Sequence, residues 1–157
     1  METITGFENR VGLAEVASSE NGVDGIVFGR VDYSGSLGVG RAGIESPEVT
    51  NAILTTAELC REKNLDLVVG GAVSIDSFPI VKKISTVKLT RFETRKVVFS
   101  GEAVNKNNIE AGLLNAVHFE LLWLTNKRDY YDKIAHEDAK RLDMLESRWK
   151  VLNNGVL

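Results

Sequence analysis

Short apolar runs and longer periodic stretches alternate over the first two thirds of the chain. Residues 26–28 form an apolar run, Ile-Val-Phe, with the β-branched and aromatic content of a buried strand. Residues 65–71 and 87–92 have the same character, and residues 96–100 are a shorter apolar piece. Helical patterns separate the first three runs. Strands that alternate with helices at this spacing predict an α/β fold with a parallel sheet.

The clearest helix in the pattern starts at Ser46. Ser46 is suited to an N-cap, Pro47 to the first helical position and Glu48 to the first turn, and Asn64 is suited to the C-cap. Two further helices are expected at residues 8–18 and from Ser74 to Ile84, with Pro79 in the first turns of the latter. Residues 1–5 have the pattern of the tail of a strand.

The pattern changes near residue 107, after which leucine, valine and aromatic residues recur at helical spacing and no strand follows. Two helices are expected, at about residues 107–126 and 130–150. We therefore divide the chain into an α/β region, residues 1–105, and a C-terminal helical appendage, residues 106–157. The apolar faces of the appendage need a partner, which is either the α/β region or another subunit.

Composition limits the classes of function. A chain of 157 residues, 43% hydrophobic and 26% charged, is long enough for one globular domain. A formal net charge of −3 gives no electrostatic reason to expect nucleic acid or an anionic membrane as a partner. No apolar run approaches the roughly 20 residues of a membrane span, and the first residues lack the features of a signal peptide. The single cysteine, Cys60, fits a reducing cytoplasm.

A glycine-rich loop follows the first buried strand, and it contains Gly29, Gly35, Gly38 and Gly40 together with Asp32. Ligands bind at such loops in βα units, since the loops leave the carboxyl ends of the strands. Glycine also lets the backbone approach a ligand closely, although these glycines could simply turn a tight corner. The motif Gly-x-x-x-x-Gly-Lys-Ser/Thr is absent, and Gly-x-Gly-x-x-Gly does not occur at the start of an expected helix, which disfavours a nucleotide phosphate loop.

Glu2 and Asp32 form the first candidate pair. Each lies at or just after the carboxyl end of an expected strand, and the carboxyl ends of consecutive parallel strands lie on the same side of the sheet. Two converging carboxylates suit a hard divalent cation such as Mg²⁺ or Mn²⁺. The alternative is that both are ordinary loop carboxylates.

The other strand ends offer weaker candidates. Gly70 and Gly71 run toward the helix expected at Ser74, and the N–H groups of a helix start favour an anion, although a tight turn with a capping serine explains them equally well. Arg91 or Arg95 could bind a carboxylate in bidentate fashion, or belong to a structural ion-pair network.

Two motifs resemble those of a known family. Glu2-Thr3 with Gly6, followed about thirty residues later by the segment Gly29-Arg-Val-Asp-Tyr-Ser-Gly-Ser-Leu-Gly38, resembles the paired motifs of the HpcH/HpaI aldolase and citrate lyase β-subunit family. The resemblance implies a TIM-type (β/α)₈ barrel whose C-terminal helices pack on a neighbouring subunit, giving a homo-oligomer. It also implies Mg²⁺-dependent cleavage or formation of carbon–carbon bonds in a 2-oxo acid, such as pyruvate or oxaloacetate, or in an acyl-thioester.

The resemblance also assigns residues. Glu2 and Asp32 match the metal ligands of the family, and the backbone from Gly29 through Arg30 and Val31 to Asp32 matches the segment that contacts the substrate. Arg30 departs from the family, which commonly has a small residue or proline there. The family's catalytic arginine and histidine belong to the first half of its barrel, which has no counterpart in this sequence. We therefore expect about half a barrel, a C-terminal fragment that is inactive alone.

Two other functions remain open at this point. The chain could be a non-catalytic α/β module in which the helical appendage drives oligomerisation. It could also be a phosphate-binding barrel enzyme of another class, which would bind phosphate at Gly70 and Gly71 and no metal at Asp32.

Overall fold

The computed structural model describes residues 1–153 of the chain. These residues belong to two compact units, Met1–His118 and Phe119–Leu157. Residues 154–157, the end of the expected appendage, lie outside the described residues. The first unit contains the sheet and its helices, and the second consists of helix over nearly all of its described length.

The elements follow one another in a βα order. The helices are α1 (Ile4–Glu8), α2 (Arg10–Ala17), α3 (Arg30–Ser36), α4 (Pro47–Glu62), α5 (Phe78–Ser85) and α6 (Ile109–Leu152). The strands are β1 (Gly25–Gly29), β2 (Asp66–Gly70), β3 (Arg91–Glu93) and β4 (Val98–Ser100). Two 3₁₀ turns, Arg41–Gly43 and Gly101–Asn105, complete the described elements.

The four strands form one sheet in the order β1-β2-β3-β4. β1, β2 and β3 are parallel, which confirms the expected α/β fold, but β4 runs antiparallel to β3. The expectation of an entirely parallel sheet was therefore wrong at this edge. The connection from Glu93 to Val98 is too short for a parallel crossover, which needs a dozen or more residues, so the chain turns back as a hairpin.

The helix expected at Ser46 is confirmed. The backbone N–H of Val49 donates to Ser46 Oγ at 3.4 Å, and Pro47 is the first helical residue. The helix ends at Glu62, and Asn64 follows with a φ of 53°, a left-handed conformation that asparagine tolerates well. These local signals act within one turn of the helix, so tertiary packing does not override them.

The N-terminal segment differs from the expected strand. Thr3 caps α1, since its Oγ1 accepts a hydrogen bond of 3.0 Å from the N–H of Gly6. Met1 nevertheless lies along β1, because its amino group donates to the carbonyl of Val27 and its carbonyl accepts from Gly29 N–H at 3.1 Å. This pair of bonds has the pattern of a parallel ladder. The helix expected at residues 8–18 is confirmed as α2, Arg10–Ala17, and the short helix α1 precedes it.

The loop between β2 and α5 is longer than expected. The helix begins at Phe78 and not at Ser74, and Pro79 lies in its first turn as expected. Ser74 N–H donates to Ser77 Oγ, and that hydroxyl donates to the Ser74 carbonyl, each at 2.9 Å. Because these serines bond to each other in a turn, Ser74 does not cap the helix.

Two groups of buried side chains form the core of the first unit. The larger joins α4 to β1 and β2, where Ile53, Ala57 and Cys60 pack with Phe28 and Leu67. The smaller lies around β3 and contains Val73, Val81, Phe92, Val104, Ile109 and Leu113. Ile109 and Leu113 belong to the first turns of α6, so this helix begins by closing the core of its own unit.

α6 is one continuous helix over 44 residues, whereas two helices were expected. The polar stretch that suggested a break, residues 126–129, contains neither glycine nor proline, and polar residues alone do not interrupt a helix. Most of its apolar side chains beyond residue 118 are exposed. Within residues 1–153, no helix combines the length and the apolarity needed to cross a bilayer.

Burial of Cys60 gives the first testable prediction. Burial raises the pKa of the Cys60 thiol from 9.0 to about 11, against the smaller opposing effect of Lys88. The unfolded thiol therefore loses its proton at lower pH than the folded one, so the stability that the neutral thiol contributes is present below pH 9 and is lost as the pH rises toward 11.

We expect the free energy of unfolding of the protein, minus that of the Cys60→Ala variant, to fall by about 2 kcal/mol between about pH 8 and pH 10.5. Urea unfolding of both proteins across this range measures the difference. Two curves that stay parallel would contradict the assignment.

Candidate functional site

Two carboxylates converge over Gly29, at the carboxyl end of β1. A Cβ atom placed on Gly29 would lie 3.1 Å from Glu2 Oε1 and 3.4 Å from Asp32 Oδ2. The space that a side chain would fill is therefore occupied from two sides by carboxylate oxygens. The structure thus brings together the two residues that the sequence paired, although no strand precedes Glu2.

Backbone contacts on both sides hold this pair. Glu2 follows Met1, whose carbonyl and amino group bond to β1, and the N–H of Ile4 donates to Ser36 Oγ at 3.0 Å. Asp32 lies in the first turn of α3, which starts directly after Gly29. Glu2, held along the edge of β1, and Asp32, at the start of α3, therefore both direct their carboxylates toward Gly29.

A third carboxylate lies over the neighbouring strand. Gly70 is the partner of Gly29 in the pairing of β1 with β2, and a Cβ placed on Gly70 would lie 3.0 Å from Glu93 Oε1. Two facing glycines thus form a floor without side chains at the strand ends. Glu93 was not among the residues predicted from the sequence, and the available signal was its position at the end of a strand next to one that ends in glycine.

The oxygen ligands at Gly29 suit a hard divalent cation. Glu2 and Asp32 offer carboxylate oxygens, the ligand type that Mg²⁺ and Mn²⁺ prefer. Among residues 1–153, no group of three or more histidine, cysteine, aspartate or glutamate side chains is arranged to hold a metal ion. The pair therefore fits a cation that takes most of its ligands from water or substrate, as Mg²⁺ commonly does.

Arg30, expected to contact substrate, is fully buried and bonded to the protein. Its Nε and Nη2 donate to the carbonyl of Gly71 at 3.0 and 2.8 Å, and Nη2 also donates to the carbonyl of Ala72 at 3.1 Å. Nη1 forms an ion pair of 3.1 Å with Glu45. Burial lowers the pKa of the guanidinium, and Glu45 opposes that change. These contacts give Arg30 a structural role.

The loop that Arg30 holds has an unusual backbone. Gly71 and Ala72 have φ values of 90° and 51°, in the left-handed region where an alanine is strained. A Cβ on Gly71 would lie 2.8 Å from the backbone nitrogen of Val31 and 3.0 Å from that of Arg30, so only glycine fits there. Substrate contact at the backbone from Gly29 to Asp32 stays a prediction.

The other two candidates have structural explanations. Gly70 and Gly71 lead into a loop, and α5 starts only at Phe78, so the helix N-terminus expected to bind an anion does not follow them. Arg91 forms an ion pair of 2.7 Å with Asp66, which is the structural alternative considered above. Arg95 is exposed.

Comparison of this chain with protein-family models, with curated proteins and with solved structures gave no match.

The contacts of Arg30 predict a large effect on stability. The Arg30→Met variant keeps an apolar stem but leaves the carbonyls of Gly71 and Ala72 without their donor. We expect the free energy of unfolding to fall by about 2–4 kcal/mol, since buried unsatisfied carbonyls are costly. Urea denaturation followed by circular dichroism measures the change.

Arg61→Met is the matched control, because Arg61 is exposed on α4. The free energy of unfolding of Arg61→Met should differ from that of the unmodified protein by no more than about 0.5 kcal/mol. Equal losses in the two variants would show that the buried guanidinium does not hold the loop.

Proposed function

We propose that Glu2 and Asp32 hold a divalent cation, Mg²⁺ or Mn²⁺, at the centre of a site for carbon–carbon bond cleavage or formation. The substrate class is a 2-oxo acid, such as pyruvate or oxaloacetate, or an acyl-thioester. The observation that carries the proposal is the approach of both carboxylates to the vacant Cβ position of Gly29. The two motifs that resemble the HpcH/HpaI aldolase and citrate lyase β-subunit family support it.

The electrostatics of the strand ends support a cation. Two like charges that approach the same point repel each other, and a cation between them removes that repulsion. Glu93 adds a third negative charge over the adjacent Gly70. Arg30 does not serve this purpose, because its guanidinium is bonded to Glu45 and to the loop carbonyls.

The chain's own residues have distinct roles in the proposal. Glu2 and Asp32 bind the cation, and Gly29, which has no side chain, leaves room for the two carboxylates to approach each other. Arg30 holds the loop at Gly71 against the start of α3, on which Asp32 lies. A bound divalent ion would supply Lewis-acid polarisation of the substrate carbonyl.

The partial barrel is part of the same proposal. β1, β2 and β3 lie side by side in chain order and are parallel, as consecutive strands of a (β/α)₈ barrel are. The proposed site lies at their carboxyl ends, where barrel enzymes bind their substrates. β4, which runs antiparallel, departs from the barrel pattern.

A non-catalytic α/β module for oligomerisation is the second candidate. The observation in its favour is the exposed apolar surface of α6 beyond residue 118. In that case Glu2 and Asp32 are ordinary surface carboxylates, and no cation binds between them. Binding measurements therefore separate the two functions.

Calorimetric titration of the protein with Mn²⁺ is the first test. We expect saturable binding to one site, and a loss of affinity of at least about tenfold in Asp32→Asn, which removes a charged ligand. Asp24→Asn is the control, because Asp24 precedes β1 at the opposite end of the strand. The affinity of this variant for Mn²⁺ should equal that of the unmodified protein. The absence of heat from the unmodified chain would favour the non-catalytic module.

Substrate class is tested by the same titration with pyruvate or oxalate present. A 2-oxo acid that shares the ion should raise the affinity for Mn²⁺, and Mn²⁺ should raise the affinity for the acid by the same factor. This readout measures binding and does not require turnover. If neither acid changes the affinity for Mn²⁺, the metal site is supported and the proposed substrate class is contradicted.

Gly29→Ala tests the space over Gly29 directly. The new methyl group would lie 3.0 Å from Glu2 Cγ and 3.4 Å from Asp32 Oδ2, so at least one carboxylate must move. We expect Mn²⁺ affinity to fall at least about tenfold. Gly35→Ala is the control, since a Cβ at Gly35 meets nothing within 4 Å, and it should bind as the unmodified protein does. Equal affinities in both variants would count against the site.

A further inference from the structure

An exposed stripe runs along the second unit on one side of α6. With 3.6 residues per turn, its nine members fall within a sector of about 80° of the helix. Seven of the nine are apolar or aromatic, and all nine are exposed. The stripe, called the α6 stripe below, consists of Leu124, Lys127, Tyr131, Ile134, Asp138, Leu142, Leu145, Trp149 and Leu152.

Lys127 belongs to this stripe through its stem. Its Nζ lies 5.3 Å from the ring centroid of Trp123 and 5.9 Å from that of Tyr131. A lysine whose ammonium lies over aromatic rings places its methylene groups along the apolar surface. Asp138 is therefore the member that interrupts the apolar character of the stripe.

The spacing of the stripe is symmetric about Asp138. Ile134 and Leu142 lie four residues on either side of it, and Tyr131 and Leu145 lie seven residues away. Lys127 mirrors Trp149, and Leu124 mirrors Leu152, in the same way. A surface whose pattern reads the same in both directions matches a second copy of itself that runs in the opposite direction.

We propose that the α6 stripe binds the α6 stripe of a second copy of this chain, antiparallel, with the two-fold axis at Asp138. Ile134 then packs against Leu142, and Tyr131 against Leu145, on both sides of the axis. Lys127 lies against the ring of Trp149, a favourable cation–π arrangement. A parallel pair would instead place Lys127 against Lys127.

The charges beside the stripe agree with the antiparallel arrangement. Glu137 and Arg141 lie on the same flank of the helix, close to the two-fold axis. In the antiparallel pair, Glu137 of each copy faces Arg141 of the other, because an antiparallel two-fold brings the same flank of both helices together. Farther along the same flank, Arg148 faces Tyr130.

Asp138 gives this interface a fixed register. The antiparallel pair places the two Asp138 side chains near each other at the axis, which lowers the stability of the dimer. A single polar position within an apolar seam specifies register and orientation at a cost in stability. Replacement of Asp138 by leucine should therefore tighten the dimer.

Sedimentation velocity of the full chain over a range of concentrations tests the association. We expect a monomer–dimer equilibrium, weakened at least about tenfold by Leu145→Asp, which puts a charge into an apolar layer. Met144→Asp is the control: Met144 is also exposed but lies about 120° around the helix from the centre of the stripe, so the dimer affinity of this variant should change less than about twofold. Asp138→Leu should bind more tightly than the unmodified chain.

Disulfide cross-linking tests the direction. Tyr131→Cys and Leu145→Cys chains, mixed and oxidised, should form the mixed dimer in excess over either homodimer. Cys60 is buried and is the only native cysteine, so it does not compete. A strictly monomeric chain, equal effects of Leu145→Asp and Met144→Asp, or an excess of Leu145→Cys homodimer would each overturn the proposal.

Discussion

The buried guanidinium of Arg30 organises the carboxyl ends of the strands. Because a fully buried cation is stable only when its donors are satisfied, Arg30 must keep its bonds to Gly71, Ala72 and Glu45. Those bonds hold a loop that crosses close to the start of α3 and has two consecutive residues with positive φ. The position of α3, and with it that of Asp32, therefore depends on a contact that lies outside the carboxylate pair.

Glycines at the ends of β1 and β2 determine what can lie above the sheet. Gly29 and Gly70 face each other, and their missing side chains leave room for carboxylates that come from outside the two strands. Glu2, from the segment along the edge of β1, lies over Gly29, and Glu93, the last residue of β3, lies over Gly70. At these strand ends the sheet thus carries no side chains of its own, and the carboxylates of the proposed site reach over it from neighbouring segments. Few residues of the strands themselves therefore belong to the proposed site.

The sequence predicted what depends on local signals and missed what depends on contacts distant in the chain. The cap at Ser46 and the strand at residues 26–28 are local, and both were found. Residues 1–5 were expected to end a strand, but Thr3 caps α1 instead, and its side chain satisfies a backbone N–H in the first turn of that helix. The pairing of Glu2 with Asp32 is an exception, because it was predicted from the expected strand ends and from the motif resemblance, although no strand precedes Glu2. The burial of Arg30 could not be predicted, because the two carbonyls that accept its hydrogen bonds lie about forty residues away in the chain.

The account is most directly tested by locating a paramagnetic ion on the folded protein. Substoichiometric Mn²⁺ added to the ¹⁵N-labelled chain broadens the amide signals of residues close to the ion. The account predicts selective loss of the signals of Glu2, Gly29 and Asp32, with those of the amino end of β1 retained. Unchanged signals at these three residues, or broadening spread over exposed carboxylates of α6 such as Asp129 and Asp143, would contradict a cation site at Gly29.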